Sequence, residues 1–278
     1  MKTPTGPDPA APAREVARDA ARTYQAAFAD RFVAGYALGS LAHGGYAPAV
    51  SDIDLAVVLA ETRDGDDGTV AGILRTLHER AELYRRLSVF WGSLPALRQG
   101  RDDGRFPAVD RLDLAEHGVL LLGADVARQV AVPGAGELLV DSARFAVKVL
   151  ATDEVVAEIH RPARLLRDPV WFTKAVLFPI RFFYSSAVAT GRGATNDEAI
   201  AWYLARPEAV AAPLVRLAAR VRAGEPLDPA EAGPLLATEL AELYRQYAED
   251  QARRLGQTGG ADDLVTAFTR WRDRLDPS

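Results

Sequence analysis

The chain has 278 residues, 49% of them hydrophobic and 26% charged, which is the profile of a soluble globular protein long enough for one large domain or two ordinary ones. A net charge of −5 argues against wrapping long nucleic acid, which calls for a basic face, and no run of eighteen apolar residues offers a membrane span. Cysteine is absent, so disulfides and thiolate metal sites are excluded, and together with the missing signal-peptide pattern this fits a cytoplasmic protein.

Residues 1–13 are rich in Pro and Ala and read as a disordered leader. Residues 14–32 carry Val16, Ala20, Tyr24 and Phe28 at intervals of four, the spacing of one helix face. Two apolar strands follow, at 33–38 and 53–59. Residues 61–69 form a polar loop, 69–86 a helix with Ile73, Leu77, Ala81 and Tyr84 on one side, and 87–91 a third strand. Residues 94–106 read as a loop, and 112–122 are ambiguous between helix and strand. After the break at Pro133-Gly134 the strand signal vanishes, and 139–160, 169–190, 196–204, 208–223, 229–255 and 261–275 all read as helices. Pro179 should kink or split the second of these, and Thr195 or Asn196 could cap the third.

The most informative segment joins the first two strands. The first strand runs into Gly39-Ser40, a small pair whose backbone can approach a phosphate closely. Asp52 and Asp54 stand two apart at the head of the second strand, where alternation points both carboxylates to one face. Hard oxygen ligands of this kind suit Mg²⁺, which takes one or two carboxylates from a protein and its remaining ligands from phosphates and water. Neither a Walker-type phosphate loop nor a Gly-x-Ser-x-Gly elbow is present.

A strand ending in Gly-Ser, a loop of about ten residues and Asp-x-Asp on a second strand together resemble the nucleotidyltransferase superfamily of the polymerase-beta type, and within it the aminoglycoside adenylyltransferases. The resemblance implies an α+β fold: an N-terminal mixed sheet with flanking helices over residues 14–132, then an all-α helical bundle over 133–278, with the active site in the cleft between them. It implies a Mg²⁺-dependent enzyme moving AMP from ATP to a hydroxyl of a small acceptor, aminoglycoside antibiotics being the family's own acceptors. Gly39 and Ser40 would contact the nucleotide phosphates, and Asp52 and Asp54 would hold the metal.

Two departures stand out. The family places a third acid on the next strand, but Leu87-Ser88-Val89-Phe90-Trp91 has none, and Ser88 occupies the expected position. Asp113 is the first replacement to consider for the catalytic carboxylate, against the alternative that it caps a helix beginning at Leu114. Asp110 is a second replacement, and Asp153, Glu154 and Glu158 on a later helix are others. In the helical half, an apolar helix with Arg181 and Tyr184, then Thr190-Gly191, then a helix start, also follows the family, but Asn196 stands where a phosphate-contacting lysine is expected. Lys174, one of three lysines, could substitute, and Arg181 would face the nucleotide.

The remaining aromatic and imidazole groups carry weaker signals. His43 lies in the Gly-Ser loop and either touches a phosphate or is simply exposed, while His117 reads as a surface or packing residue. Trp91 and Trp202 read as core, Trp171 and Trp271 carry no clearer signal, and one of them could stack on adenine or an acceptor. The missing acid and lysine also leave open a nucleotide-binding pseudoenzyme or regulator. An enzyme that modifies a protein or an RNA end is a further alternative, with RNA disfavoured by the charge.

Overall fold

The structure, a computed structural model, describes residues 8–188 and 196–276. These fall into two compact units divided between Pro133 and Gly134. The first is α+β and the second is helical throughout its described residues.

Helix α1 (Ala11–Phe28) opens the first unit. It begins three residues inside the stretch expected to be a disordered leader, with Pro12 in its first turn, where a missing N–H costs nothing. Ala13 is buried there, so the small side chains of this stretch pack instead of trailing into solvent. Strand β1 (Phe32–Leu38), a short turn α2 (Gly39–Ala42), strand β2 (Ile53–Leu59) and helix α3 (Asp66–His78) follow. Then come β3 (Leu87–Ser93), α4 (Leu94–Arg98), α5 (Ala108–His117) and β4 (Val119–Gly123). The ambiguous stretch at 112–122 is thus both things in turn, a helix end and a strand, separated by Gly118.

The sheet order is β3-β2-β1-β4, with β2 parallel to β3 and the other neighbours antiparallel. Both faces are covered, which is why β2 reads as a continuous apolar run. Ile53, Leu55, Val57 and Leu59 join Tyr24 and Phe28 of α1 and Leu77 of α3 in one core. Ala56 and Val58 join Tyr36, Leu38, Phe106 and Leu114 in the other. Asp54, in alternation with Ala56 and Val58, therefore belongs to the face that α5 covers.

The head of α3 is fixed by a two-pronged ion pair. Arg31 Nη1 and Nη2 donate to Asp66 Oδ2 and Oδ1 at 2.8 and 2.9 Å, and the Arg63 amide adds a third bond at 2.7 Å. The Arg31 guanidinium holds the Asp66 carboxyl below its usual range, outweighing the opposite pull of burial. A carboxylate with a lowered folded pKa stabilises the fold above its unfolded value near about 4, and that contribution disappears as pH falls through the folded value. Asp66→Asn should therefore melt earlier than wild type at pH 7. The gap should narrow as pH is lowered beyond the ordinary carboxylate range, read by a pH series of thermal denaturations.

The second unit comprises α6 (Ala135–Leu150), α7 (Asp153–His160), α8 (Pro169–Val188), α9 (Asn196–Leu204), α10 (Ala212–Arg222), α11 (Pro229–Thr258) and α12 (Asp262–Arg274). The single helix expected at 139–160 is two, because Thr152 leaves the helical path and its hydroxyl caps α7 through the Val155 amide at 3.3 Å. Thr190, Gly191 and Thr195 lie outside the described residues. Tyr244, Tyr247, Phe268 and Trp271 pack at the centre of this unit.

Helix α8 runs through Pro179 without being split. Proline has no N–H to offer the carbonyl four residues earlier, that of Ala175. The Tyr244 hydroxyl, reaching across from α11, donates to that carbonyl at 2.8 Å. Tyr244 is 1% exposed and Ala175 half-buried, so Tyr244→Phe should leave Ala175 O without this partner. The expected loss is about 1–3 kcal/mol, a fall of several degrees in melting temperature in a thermal scan.

Candidate functional site

The Gly-Ser turn is built by register. Leu38 at the end of β1 pairs with Asp54 of β2, so the residue after it, Gly39, is delivered beside the Asp54 side chain. Gly39 has φ +58, a left-handed conformation that favours glycine. A Cβ at this position would run into Asp54 Oδ2. Conformation therefore favours glycine here, and any Cβ would force Asp54 to move.

On the other side of Gly39 stands Asp113. Its Oδ2 accepts the Gly39 amide hydrogen at 2.5 Å. Asp113 is the sixth residue of α5 and is 8% exposed, so it does not cap its own helix, which begins five residues earlier at Ala108. Its carboxylate instead satisfies the turn after β1. Gly39 is thus held between Asp54 and Asp113, residues 15 and 74 positions further along the chain.

Asp52 precedes β2 and is half-buried, as are Asp54 and Ser40. The loop leading to Asp52 is tied down locally. The Ala47 amide donates to Ser51 Oγ at 2.9 Å, and Arg86 donates to the Pro48 carbonyl. Burial pushes the Tyr46 hydroxyl up, with Arg86 opposing and the charge of Asp52 adding to it. Across the parallel pair, Asp54 faces Ser88, and β3 offers no acid anywhere along its length.

Among the described residues no three His, Asp or Glu side chains gather closely enough to hold a metal ion. Two half-buried carboxylates two positions apart, beside a backbone turn that favours glycine, do fit an ion such as Mg²⁺ whose other ligands come from phosphate and water. They do not make a closed all-protein cage.

Two of the other acids proposed for the missing carboxylate, Glu158 and Asp153, have structural employment in the helical unit. Glu158 Oε1 accepts the amides of Arg164 and Leu165 at 2.7 and 3.0 Å, and Asp153 is paired with Arg274 at 2.5 Å. Asp110 sits in the first turn of α5.

Lys174 and Arg181 both lie on α8, in the second unit. Lys174 is half-buried, with its Nζ 5.7 Å from the centre of the Trp171 ring, which Arg164 also covers at 4.3 Å. Trp171 is 43% exposed, whereas Trp91, expected in the core, is buried, as is Trp271. Arg181 is exposed, although its helix is apolar, and its charge reaches Arg222 of α10. Arg222 is 8% exposed; burial pulls its guanidinium down, with Asp197 at 3.4 Å opposing and Arg181 adding to the pull.

A contact that sequence reasoning did not foresee joins His43 and His117, both half-buried. Their rings meet edge to face at 5.7 Å. A signal was available in retrospect: His43 is four residues after Gly39 and His117 four after Asp113. That both pairs converge is visible only once α5 lies against the Gly-Ser turn.

No protein-family model and no curated protein matches the chain. Among solved structures, it is similar to the crystal structure of the spectinomycin adenyltransferase AAD(9) from Enterococcus faecialis with ATP and spectinomycin. The match covers 94% of this chain and 98% of that one, with a TM-score of 0.55 and 13% identity. The two share a fold across nearly their whole lengths: a mixed four-stranded sheet with flanking helices, followed by a helical region.

Proposed function

We propose that this chain is a nucleotidyltransferase that moves AMP from ATP to a hydroxyl of a small acceptor, with Mg²⁺ held by Asp52 and Asp54. The observation that carries the reading is the packing of Gly39 against Asp54, in a fold shared with an enzyme whose structure holds ATP. It joins a turn that a phosphate can approach to a carboxylate pair of the right chemistry for Mg²⁺.

When bound, Mg²⁺ would neutralise charge on the phosphates and make pyrophosphate a better leaving group. The rest falls to the chain. Gly39 and Ser40 would fix the phosphates, and orientation would supply much of the rate. The acceptor oxygen attacks the α-phosphorus, the new O–P bond forms, the bond to pyrophosphate breaks, and the hydroxyl proton leaves with a base. Asp113 is assigned a positioning role, because its carboxylate is committed to the Gly39 amide. For Lys174 and Arg181 the proposed contact with nucleotide phosphates rests on the sequence resemblance alone. An aminoglycoside acceptor, with a part in antibiotic resistance, and a cytoplasmic location belong to the same proposal.

A second reading is favoured by one observation: Asp54 faces Ser88 where a third acid is expected. A chain that binds Mg²⁺ and ATP but transfers poorly would act as a nucleotide-responsive binding protein. Calorimetric titration with α,β-methylene-ATP, with and without Mg²⁺, tests the shared part. Wild type should bind at least about tenfold more tightly with Mg²⁺, a difference of some 1.4 kcal/mol, and Asp52→Asn/Asp54→Asn should lose that gain. Equal binding by the double variant would sink the metal assignment. Pyrophosphate release from ATP across a panel of aminoglycosides then separates the enzyme from the binding protein.

A further inference from the structure

Asp52 and Asp54 are held in place by different means. Asp54 sits inside the sheet, with Leu38 on one side and Ser88 on the other. The pairing of β2 with β3 begins at Ile53 and Leu87, so Asp52 stands one residue ahead of that ladder. A closed turn precedes it. The Val50 and Ser51 amides both donate to the Ala47 carbonyl, at 3.0 and 2.8 Å, and the Ala47 amide donates to Ser51 Oγ at 2.9 Å. Ala47, Val50 and Ser51 are buried, while Pro48 and Ala49 at the tip are exposed. A turn tied to itself moves as one piece, so the placement of Asp52 depends on what ties the turn to the sheet.

Arg86 makes that tie. It directly precedes Leu87, as Asp52 directly precedes Ile53, so the parallel register brings the two residues to the heads of neighbouring strands. It ends a short 3₁₀ turn, Glu82–Arg86, and is half-buried. Its Nη1 donates to the Pro48 carbonyl at the tip of the turn. The same guanidinium acts on the Tyr46 hydroxyl, by charge and by hydrogen bonding. Tyr46 in turn packs against the core that contains Ile53 and Leu55. A guanidinium presents five donors in a rigid fork, so one side chain can serve a carbonyl and a hydroxyl together. The charge of Asp52 reaches the Tyr46 hydroxyl as well, which places carboxylate, phenol and guanidinium in one neighbourhood.

We propose that Arg86 is a positioning residue for the metal site: by gripping the 46–51 turn at Pro48 and Tyr46, it holds the Asp52 carboxylate where it can share Mg²⁺ with Asp54. The inference rests on the nucleotide reading above and adds to it a residue outside both the Gly-Ser and the Asp-x-Asp segments. Simple electrostatics predicts the opposite sign. A cation near two carboxylates repels Mg²⁺, so charge alone would make the ion bind more tightly once Arg86 is removed. Loss of the grip makes it bind more weakly.

The test is calorimetry on the full chain with α,β-methylene-ATP, in the presence and absence of Mg²⁺, with a thermal scan of each variant. Arg86→Met, which keeps the aliphatic stem, should cut the Mg²⁺-dependent gain in affinity at least about fivefold and leave binding without Mg²⁺ unchanged. A general loosening of the fold would weaken both alike. Ser51→Ala, which opens the turn from its other side and alters no charge, should lower the gain in the same direction. A gain in folded Arg86→Met that equals or exceeds that of wild type overturns the positioning role and leaves the nucleotide reading intact. So does equal weakening with and without Mg²⁺. A wild type whose binding does not depend on Mg²⁺ overturns both. Should Arg86→Met fail to fold, Arg86→Lys decides, since it keeps the charge and loses the fork: a reduced gain supports the positioning role, and an unchanged gain refutes it.

Discussion

Gly39→Ala should cost at least about a hundredfold in affinity for α,β-methylene-ATP with Mg²⁺, some 2.7 kcal/mol. Two independent penalties meet at one atom. The backbone at φ +58 is strained for any residue with a Cβ, by about 1–3 kcal/mol. The new methyl would also be driven into Asp54 Oδ2, so either Asp54 swings away or the turn unwinds. The first outcome removes a proposed metal ligand and the second moves Ser40. A thermal scan separates the two contributions, since the strain alone lowers the melting temperature by several degrees whether or not nucleotide is present. Wild-type affinity in a folded Gly39→Ala variant would show that this turn does not belong to a nucleotide site.

Asp113 should respond differently to two substitutions. Asp113→Ala strips the partner from the Gly39 amide, which is part-buried, and should cost about 1–3 kcal/mol of stability together with at least about tenfold in nucleotide affinity. Asp113→Asn keeps an acceptor oxygen in place and should recover most of both. A general base behaves in the opposite way: asparagine would preserve binding and KM while reducing kcat by about a hundredfold or more. The kcat-against-KM split in Asp113→Asn, read from pyrophosphate release, therefore distinguishes a positioning carboxylate from a proton acceptor.

The same two residues show where reading the chain stops. Gly39-Ser40 and Asp52-x-Asp54 were legible because their spacing is local: a strand end, a loop and a strand start lie within sixteen residues. The lengths of β1 and β2 followed from their apolar runs for the same reason. Asp113 was visible only as an acid near an apparent helix start. Its partner is 74 residues away, and no helical or strand period reports a contact of that separation. The helix start was misplaced because Pro107 ahead of α5 lacks a capping side chain and the first turn, Ala108-Val109-Asp110, is only weakly patterned. That Pro179 does not split α8 could not be read in the same way, since it depends on what satisfies the orphaned carbonyl, here Tyr244, 69 residues on from Ala175.

What the sequence by itself determined, then, is the three strands β1, β2 and β3 and the helical character of the described residues after Pro133, with the Gly-Ser and Asp-x-Asp segments marked out as the place to look for chemistry. What only the tertiary structure decided is which groups face one another: Asp113 on Gly39, His117 on His43, and Ser88 opposite Asp54. The physical reason is one of range. Periodicity and turn chemistry are set by backbone sterics over a few residues, whereas the pairing of side chains across α5, the Gly-Ser turn and the sheet is set by how two apolar faces close over a common core.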